Sequence, residues 1–463
     1  MLHRAHSHSP ARILIVGGGL AGLSAAREAR RRGFDILLLE ASAEIGGLLR
    51  TDLIDTEHGT YTLDRTGGHW IHTLARPSVR LLLEALAPGI WQPCARKAGC
   101  LIGGRVVPYP VQRNLHGAEP ELVADYLRTL VGNELLGETL PPPKNFREWL
   151  LRHFGARLCE EFMFPYNERL WRYPLEQMSC ESQRVPVVDL VNVVRGIMRR
   201  DEGAVGYNPD FVYPSHGGIE TLVQVLAADL EDSIRTGEPV VQVSPGAKRV
   251  VSASGNEYAY DALVWTGPLT GLVECLTTAQ TRDVGRSLCE QLRAFAGKLR
   301  HAGLQMVVLG QPRRDNPFGD QLQWLYVPKG YPFHRVGWSS RVAPYLAPPG
   351  CEALYVEMAS RRQEQVPESE TLAALAALGV RAHDQPVHVY RSYWHEYAYP
   401  VETLETRAAI DGIERAFAEE GWAIATSGRF GAWYYDSMCE CIEHAARTVA
   451  RLARRLHGTG GRR

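Results

Sequence analysis

Residues 13–31, ILIVGGGLAGLSAAREARR, decide the fold of this 463-residue chain. An apolar strand is predicted over residues 13–16, followed by a G-x-G-x-x-G turn and a helix over residues 23–32. Gly17 permits the tight turn, Gly19 lets the main chain approach a pyrophosphate, and Gly22 allows close contact between strand and helix. The start of the helix leaves free N–H groups for phosphate oxygens. The stretch therefore predicts a dinucleotide-binding site.

A carboxylate and a second glycine pair follow this turn. Residues 36–39 predict a second strand, and Glu40 lies at its end, where the hydroxyl groups of a ribose would be held. The segment EIGGLLRT, residues 44–51, contains Gly46 and Gly47 and resembles the second glycine pair of flavoproteins in the amine oxidase and sugar mutase superfamily. FAD is therefore the predicted cofactor, in preference to a nicotinamide dinucleotide.

Composition limits the class of protein. The length exceeds a single ordinary core, so two or three domains are expected. A formal net charge of −1 gives no reason to expect nucleic acid or an anionic membrane as a partner. No apolar run reaches the roughly 18 residues of a membrane span, and no signal-type segment precedes the first strand, so we expect a cytoplasmic protein. Nine cysteines without a C-x-x-C pair predict reduced thiols, and no metal site is expected.

The periodicity of apolar residues changes along the chain and predicts its domains. Helical spacing dominates between residues 78 and 162, and short β-rich runs follow residue 239. Residues 438–456 predict a closing amphipathic helix. We expect an α/β fold with a Rossmann-like FAD-binding domain, a helical insertion and an antiparallel β-sheet domain. The predicted ranges are 1–76, 214–282 and 400–463 for a discontinuous FAD domain, 77–213 for a largely helical substrate domain, and 283–399 for the sheet domain.

Four segments resemble the UDP-galactopyranose mutase family, and the resemblance covers most of the chain. They are GGH at residues 67–69, VPYPVQ at 107–112, FMFPYNERLW at 162–171 with QRV at 183–185, and SGRFGAWYYDSM at 427–438. The third segment is the most specific, because it matches a motif of the eukaryotic members.

The resemblance implies roles for the matching residues. His69 would lie on the loop that faces the flavin, and Arg335 and Arg429 match two arginines that hold the substrate pyrophosphate. Guanidinium groups suit this task because their fork of donors fits phosphate oxygens. The other substrate-binding candidates are Tyr109, Gln112, Asn167, Trp171, Arg184, Asn208, Tyr399 and Tyr435. The cofactor-binding candidates are Gly17, Gly19, Gly22, Glu40, Gly46, Gly47 and Met438.

Three segments depart from the family pattern. Residues 438–440, Met-Cys-Glu, stand where eukaryotic members have Gly-Asn-Gln, so an amide is lost and Glu440 would add negative charge if it pointed inward. His72 replaces a phenylalanine. Arg341 and its neighbours replace Ser-Asn-Tyr, which removes a tyrosine and adds a base. These changes leave the identity of the sugar and of the nucleotide open.

The resemblance implies an FAD-dependent isomerase that acts on a nucleotide-sugar. The reaction would be a non-redox pyranose/furanose ring contraction that uses reduced flavin as the nucleophile, with NAD(P)H or another reductant as the electron source. A homo-oligomer is left open. The main alternative is an FAD-dependent oxidase of the amine or protoporphyrinogen oxidase type, which shares the first glycine turn but would not need both arginines. A third hypothesis is a non-enzymatic flavin-binding subunit, and turnover without net electron transfer separates the mutase from both.

Overall fold

The structure is a computed structural model that describes residues 10–137, 140–180, 184–198, 210–278, 284–315 and 317–459. The chain divides into two compact units. The first unit comprises residues 1–49, 222–299 and 405–463, and the second comprises residues 50–221 and 300–404. The three domain ranges expected from the sequence have different bounds from these two units and stay a prediction.

The bounds of the regular elements are as follows. The strands are β1 (Arg12–Val16), β2 (Asp35–Leu39), β3 (Thr51–Thr56), β4 (Gly59–Asp64), β5 (Trp91–Ala95), β6 (Ala98–Ile102), β7 (Arg105–Pro108), β8 (Asp210–Pro214), β9 (Ile234–Arg235), β10 (Val240–Ser244), β11 (Arg249–Ser252), β12 (Glu257–Ala259), β13 (Ala262–Trp265), β14 (Arg300–Pro312), β15 (Trp324–Tyr326), β16 (Arg335–Trp338), β17 (Cys351–Ser360), β18 (Val389–Val401) and β19 (Ile424–Thr426). The α-helices are α1 (Leu20–Arg31), α2 (Pro77–Leu86), α3 (Pro120–Leu136), α4 (Phe146–Leu158), α5 (Phe164–Trp171), α6 (Leu190–Met198), α7 (Glu220–Ala227), α8 (Leu269–Thr277), α9 (Arg286–Ala296), α10 (Ser339–Val342), α11 (Glu368–Ala377), α12 (Thr406–Glu419) and α13 (Met438–Thr459).

A five-stranded parallel sheet forms the centre of the first unit. Its strand order is β19-β13-β1-β2-β9, and each neighbouring pair is parallel. The apolar residues of β1 are buried because a parallel sheet is covered on both faces. Helices α1 and α13 pack against each other. The carboxyl ends of β1 and β2 meet at one edge of this sheet, which places the glycine turn and Glu40 together.

A seven-stranded sheet forms the second unit, with strand order β18-β14-β17-β16-β15-β6-β7. The pair β15 and β6 is parallel, and the other pairs are antiparallel. A buried cluster that includes Phe333, Trp338 and Val356 packs between this sheet and α11. The parallel and antiparallel sheets confirm the expected α/β fold with a Rossmann-like part and an antiparallel sheet. Within the described ranges, no helix combines the length and the apolar character that crossing a bilayer requires.

Candidate functional site

The first glycine turn shows why each of its glycines is needed. Gly17 has a φ of +106°, a conformation that side chains rarely adopt. A Cβ atom on Gly22 would lie 1.8 Å from the carbonyl oxygen of Gly17, so contact between β1 and α1 leaves no room for one. A Cβ atom on Gly19 would meet only the Cα atom of Gly47, at 3.9 Å. Gly19 therefore faces open space, which fits the approach of a phosphate group.

The second glycine pair lies directly against the first. The N–H of Gly46 donates to the carbonyl oxygen of Gly18 at 2.8 Å, and Gly46 forms an isolated parallel bridge with Gly19. A Cβ atom on Gly47 would lie 3.3 Å from the Cα atom of Gly19. The two pairs thus form one surface without side chains, and this cradle fits the pyrophosphate of a dinucleotide such as FAD.

Glu40 is bound to the glycine turn at the end of β2. Its carboxylate is buried and accepts the N–H of Gly18 at 2.6 Å and the N–H of Ser42 at 2.8 Å. These two bonds fix the carboxylate beside the cradle. An ionised carboxylate can accept further hydrogen bonds, so the position suits the ribose contact predicted for Glu40.

Arg429 lies in the first unit, in the turn before α13. Its Nε and Nη2 atoms donate to the main-chain oxygen of Asp436 at 3.1 Å and 2.9 Å, and its guanidinium lies 5.0 Å from the ring centre of Tyr435. Met438 is buried as the first residue of α13. The turn therefore places the guanidinium of Arg429 next to the start of α13.

Ser437 and Glu440 form a reciprocal capping box at the start of α13. The N–H of Ser437 donates to Oε2 of Glu440 at 2.9 Å, and the N–H of Glu440 lies 3.3 Å from Oγ of Ser437. The carboxylate of Glu440 is thus directed to the start of its own helix. The charge of Glu440 is therefore paired with the start of α13.

Arg335 begins β16 in the second unit and lies opposite Glu357 of β17. The Nη2 atom of Arg335 is 2.5 Å from Oε2 of Glu357, and this same oxygen accepts the hydroxyl of Tyr399 at 3.0 Å and lies 3.5 Å from Nε2 of His334. Burial alone would raise the pKa of Glu357, but the charge of Arg335 and the proximity of His334 outweigh it and hold the pKa at about 2. Glu357 therefore stays ionised and supplies the counter-charge of Arg335.

Aromatic side chains and a second arginine border Arg335. The ring of Tyr326 lies 5.7 Å from the guanidinium of Arg335 and is 5.4 Å from Tyr166 and 5.3 Å from Tyr109. Arg96 lies 3.8 Å from the ring centre of Tyr109 and donates to the hydroxyl of Tyr326 at 2.6 Å. The second unit therefore brings two guanidinium groups to one aromatic cluster.

Trp171 and Asn167 extend this cluster from α5. The indole N–H of Trp171 donates to Oδ1 of Asn167 at 3.2 Å, and Nδ2 of Asn167 donates to the carbonyl oxygen of Met163 at 2.8 Å. The ring of Trp171 is 6.3 Å from Tyr399, edge to face. Trp171, with Asn167 bonded to it, therefore contacts Tyr399, whose hydroxyl donates to Glu357.

The loop that carries His69 packs on Tyr355 of β17. Cβ atoms on Gly67 and Gly68 would lie 2.8 Å and 2.4 Å from atoms of Tyr355, so glycine is required there. Tyr355 and Glu357 are two residues apart and share one face of the strand. The Nδ1 atom of His69 lies 3.0 Å from Oγ1 of Thr66. The loop of His69 therefore lies beside β17, the strand that carries Glu357.

Other predicted residues have different surroundings. The amide of Gln112 is buried and donates to the carbonyl oxygen of Pro186. Arg184 is half-buried, and Asn208 lies outside the described residues. Like the other site candidates, these three stay predictions.

His72 and Arg341 are the two remaining departures from the family pattern, and both contact other residues of the second unit. Burial lowers the pKa of His72 to about 4, and its Nδ1 atom lies 3.2 Å from the carbonyl oxygen of Asp210. The guanidinium of Arg341 lies 4.3 Å from the ring centre of Trp338 and 3.6 Å from the buried carboxylate of Glu352. Both substitutions therefore serve packing and charge pairing within the sheet unit.

Sequence reasoning missed Glu357, Tyr326 and Arg96. A signal for Glu357 was present, because a single carboxylate in the apolar run ALYVEMA at residues 353–359 indicates a buried acid with a partner. The partner could not be read from the sequence, since it depends on the register of β16 against β17.

The chain is similar to several known proteins. A crystal structure of reduced UDP-galactopyranose mutase matches with a TM-score of 0.85 and 26% identity, over 96% of this chain and 94% of that chain. Wild-type putrescine oxidase bound to putrescine matches with a TM-score of 0.64 and 16% identity, over 96% and 99%, which shows a shared fold. An L-amino acid dehydrogenase of Synechocystis sp. is 26% identical over 272 residues, and this match spans 55% of each protein.

The family comparison agrees with the geometry of the glycine cradle. A model described as flavin containing amine oxidoreductase matches residues 20–453, which includes the helix after the first turn, the second glycine pair and most of α13. The match to the mutase extends over nearly the whole chain. This protein is therefore a UDP-galactopyranose mutase-like member of the flavin-containing amine oxidoreductase family.

Proposed function

We propose that this protein is an FAD-dependent mutase that interconverts the pyranose and furanose forms of a nucleotide-linked hexose. The observation that carries the proposal is the pair of guanidinium groups, Arg335 and Arg96, at one aromatic cluster with the carboxylate of Glu357. Burial lowers the pKa of the neighbouring His334, against the opposite effect of Glu357. The cluster is therefore positively charged, which attracts a diphosphate and repels a protonated amine.

The roles of the residues follow from these contacts. Arg335, oriented by Glu357, would bind the diphosphate of the substrate, and Tyr109 and Trp171 would border its base. Arg429 is assigned the same phosphate-binding role on the first unit. FAD, when bound and reduced, supplies the nucleophile for a ring contraction without net electron transfer. The arginines neutralise the departing diphosphate and keep it in place for recapture.

The test is a product assay with controlled flavin redox state. Protein loaded with FAD is reduced anaerobically with dithionite, incubated with UDP-galactose, UDP-glucose or dTDP-glucose, and analysed by chromatography and NMR. We expect a furanose product from the reduced protein and none from the oxidised protein. Peroxide release in proportion to substrate, without a rearranged sugar under reducing conditions, would overturn the proposal.

A second candidate is oxidation of an amino acid. The likeness to an L-amino acid dehydrogenase favours it, and a substrate carboxylate could also pair with the fork of Arg335. In that case, L-amino acids added anaerobically to the oxidised protein would bleach the flavin absorption. The mutase proposal predicts no bleaching by any amino acid.

A further inference from the structure

A buried carboxylate connects Arg429 to a histidine on α13. The side chain of Asp436 is fully buried, and its Oδ2 atom lies 2.9 Å from Nδ1 of His444. Its Oδ1 atom has no hydrogen-bond partner within the part of the chain that the structure describes. The carboxylate thus depends on His444, and a buried acceptor that loses its bond carries a desolvation penalty.

The main chain of Asp436 holds the guanidinium of Arg429. Its carbonyl oxygen accepts from both Nε and Nη2 of Arg429, and its N–H donates to the carbonyl oxygen of Tyr434 at 2.7 Å. The N–H of Tyr434 in turn donates to the carbonyl oxygen of Arg429 at 2.9 Å. The orientation of the Asp436 peptide therefore decides where the guanidinium points, and the side chain of Asp436 anchors that peptide.

We propose that His444 is a positioning residue that, through Asp436, orients Arg429 for binding the diphosphate of a nucleotide ligand. The inference rests on the proposed function and adds a residue that lies outside every motif identified in the sequence. His444 is one-third exposed and sits one helical turn beyond the capping box. It contacts the buried carboxylate directly, and its ring lies 6.4 Å from that of Tyr434. Loss of the imidazole releases Asp436 and moves the guanidinium.

A matched pair of amide variants tests the geometry. The Nδ2 atom of His444→Asn can occupy the place of Nδ1 and donate to Asp436, whereas His444→Gln carries its amide one methylene further. With UDP as the probe, followed by flavin fluorescence or calorimetry, we expect His444→Gln and His444→Ala to raise the Kd about tenfold and His444→Asn to stay within about threefold of the parent. Equal losses in all three variants would overturn the proposal.

A double-mutant cycle separates positioning from general destabilisation. If His444 acts through Arg429, His444→Gln added to Arg429→Ala causes no further loss of UDP affinity. If the parent binds UDP but the losses of affinity in the two single variants add up in the double variant, this inference alone is overturned. Failure of the parent to bind UDP, UDP-galactose or dTDP-glucose overturns the proposed function as well, so the two failures are distinguishable.

Discussion

At the scale of single residues, Glu357 determines the orientation and the charge of Arg335. One oxygen of its carboxylate is bound by Arg335 and Tyr399, and the residue is 3% exposed. A buried guanidinium without such a partner would carry a large desolvation cost. Glu357 therefore keeps Arg335 charged and in one orientation.

Replacement of Arg335 tests its role in nucleotide binding. Arg335→Lys keeps a positive charge beside Glu357 but removes the planar fork, and Arg335→Ala removes both. We expect Arg335→Ala to weaken binding of UDP by about 2–4 kcal/mol and Arg335→Lys by a smaller amount, with unchanged flavin content. Calorimetric titration measures both. Arg391→Ala, at an exposed site on β18, is the control, and affinity of Arg335→Ala within twofold of the parent would contradict the assignment.

Glu357→Gln tests the charge pair through the pH dependence of stability. The pKa of Glu357 is about 2 in the folded chain, below its ordinary value near 4.5. Its contribution to the free energy of unfolding is therefore complete above about pH 4.5 and is lost as the pH falls towards 2, by on the order of 3 kcal/mol. Urea unfolding between pH 5 and pH 2.5 should show a steeper loss in the parent than in Glu357→Gln. Parallel curves would argue against the pair.

At the scale of elements, the β1–α1 turn separates two requirements for glycine. A side chain at Gly22 collides with the main chain of Gly17, whereas a side chain at Gly19 enters open space. Both positions belong to one motif, but only one of them is needed for the fold itself.

We expect Gly19→Val to fold with parental far-UV circular dichroism and to lose FAD, because the side chain fills the phosphate cradle. Gly22→Ala should instead lower the melting temperature or prevent folding, with or without flavin. Flavin absorbance after gel filtration, together with thermal unfolding, measures the two effects. Full flavin retention by Gly19→Val would show that the phosphate lies elsewhere.

Elements defined by local patterns could be predicted from the sequence. The predicted first strand at 13–16 and closing helix at 438–456 agree with β1 and α13 to within a few residues, because apolar spacing and turn glycines act locally. The predicted helix over residues 146–162 is broken by a kink at Gly155, whose φ is +72°, and α4 then passes into a π-helical turn over Cys159–Met163. The pairing of Arg335 with Glu357 and the capping box of Glu440 depend on register and on side-chain direction, which periodicity does not report.

At the scale of the whole molecule, Asp64 links distant stretches of the second unit. Its carboxylate accepts from Thr51 at 2.7 Å, from the hydroxyl of Tyr213 at 2.5 Å and from the N–H of Ile219 at 3.0 Å. Burial raises its pKa to about 6, against the opposite effect of these hydrogen bonds. One acid thereby couples the stability of the unit to pH near neutrality.

The contribution of Asp64 to stability changes with pH in the opposite direction to that of Glu357. Because the folded pKa of Asp64 lies above its ordinary value near 3.8, its contribution to stability is complete below about pH 4 and is lost as the pH rises through 6, by on the order of 3 kcal/mol. The difference in unfolding free energy between the parent and Asp64→Asn should therefore shrink from pH 4 to pH 6.5. A constant difference would show that Asp64 does not titrate in this range.

The parallel sheet of the first unit is completed late during synthesis. Strand β1 lies between β2 and β13, and β13 must then receive β19 at residues 424–426. At 5–20 residues per second, the ribosome needs on the order of ten to fifty seconds to pass from β1 to β13 and about two-thirds of that time again to reach β19. During that time the apolar strand ILIV has no complete sheet to join. The nascent chain is therefore expected to require chaperone protection of its first strands, and to acquire its flavin only after residues 424–426 have left the ribosome.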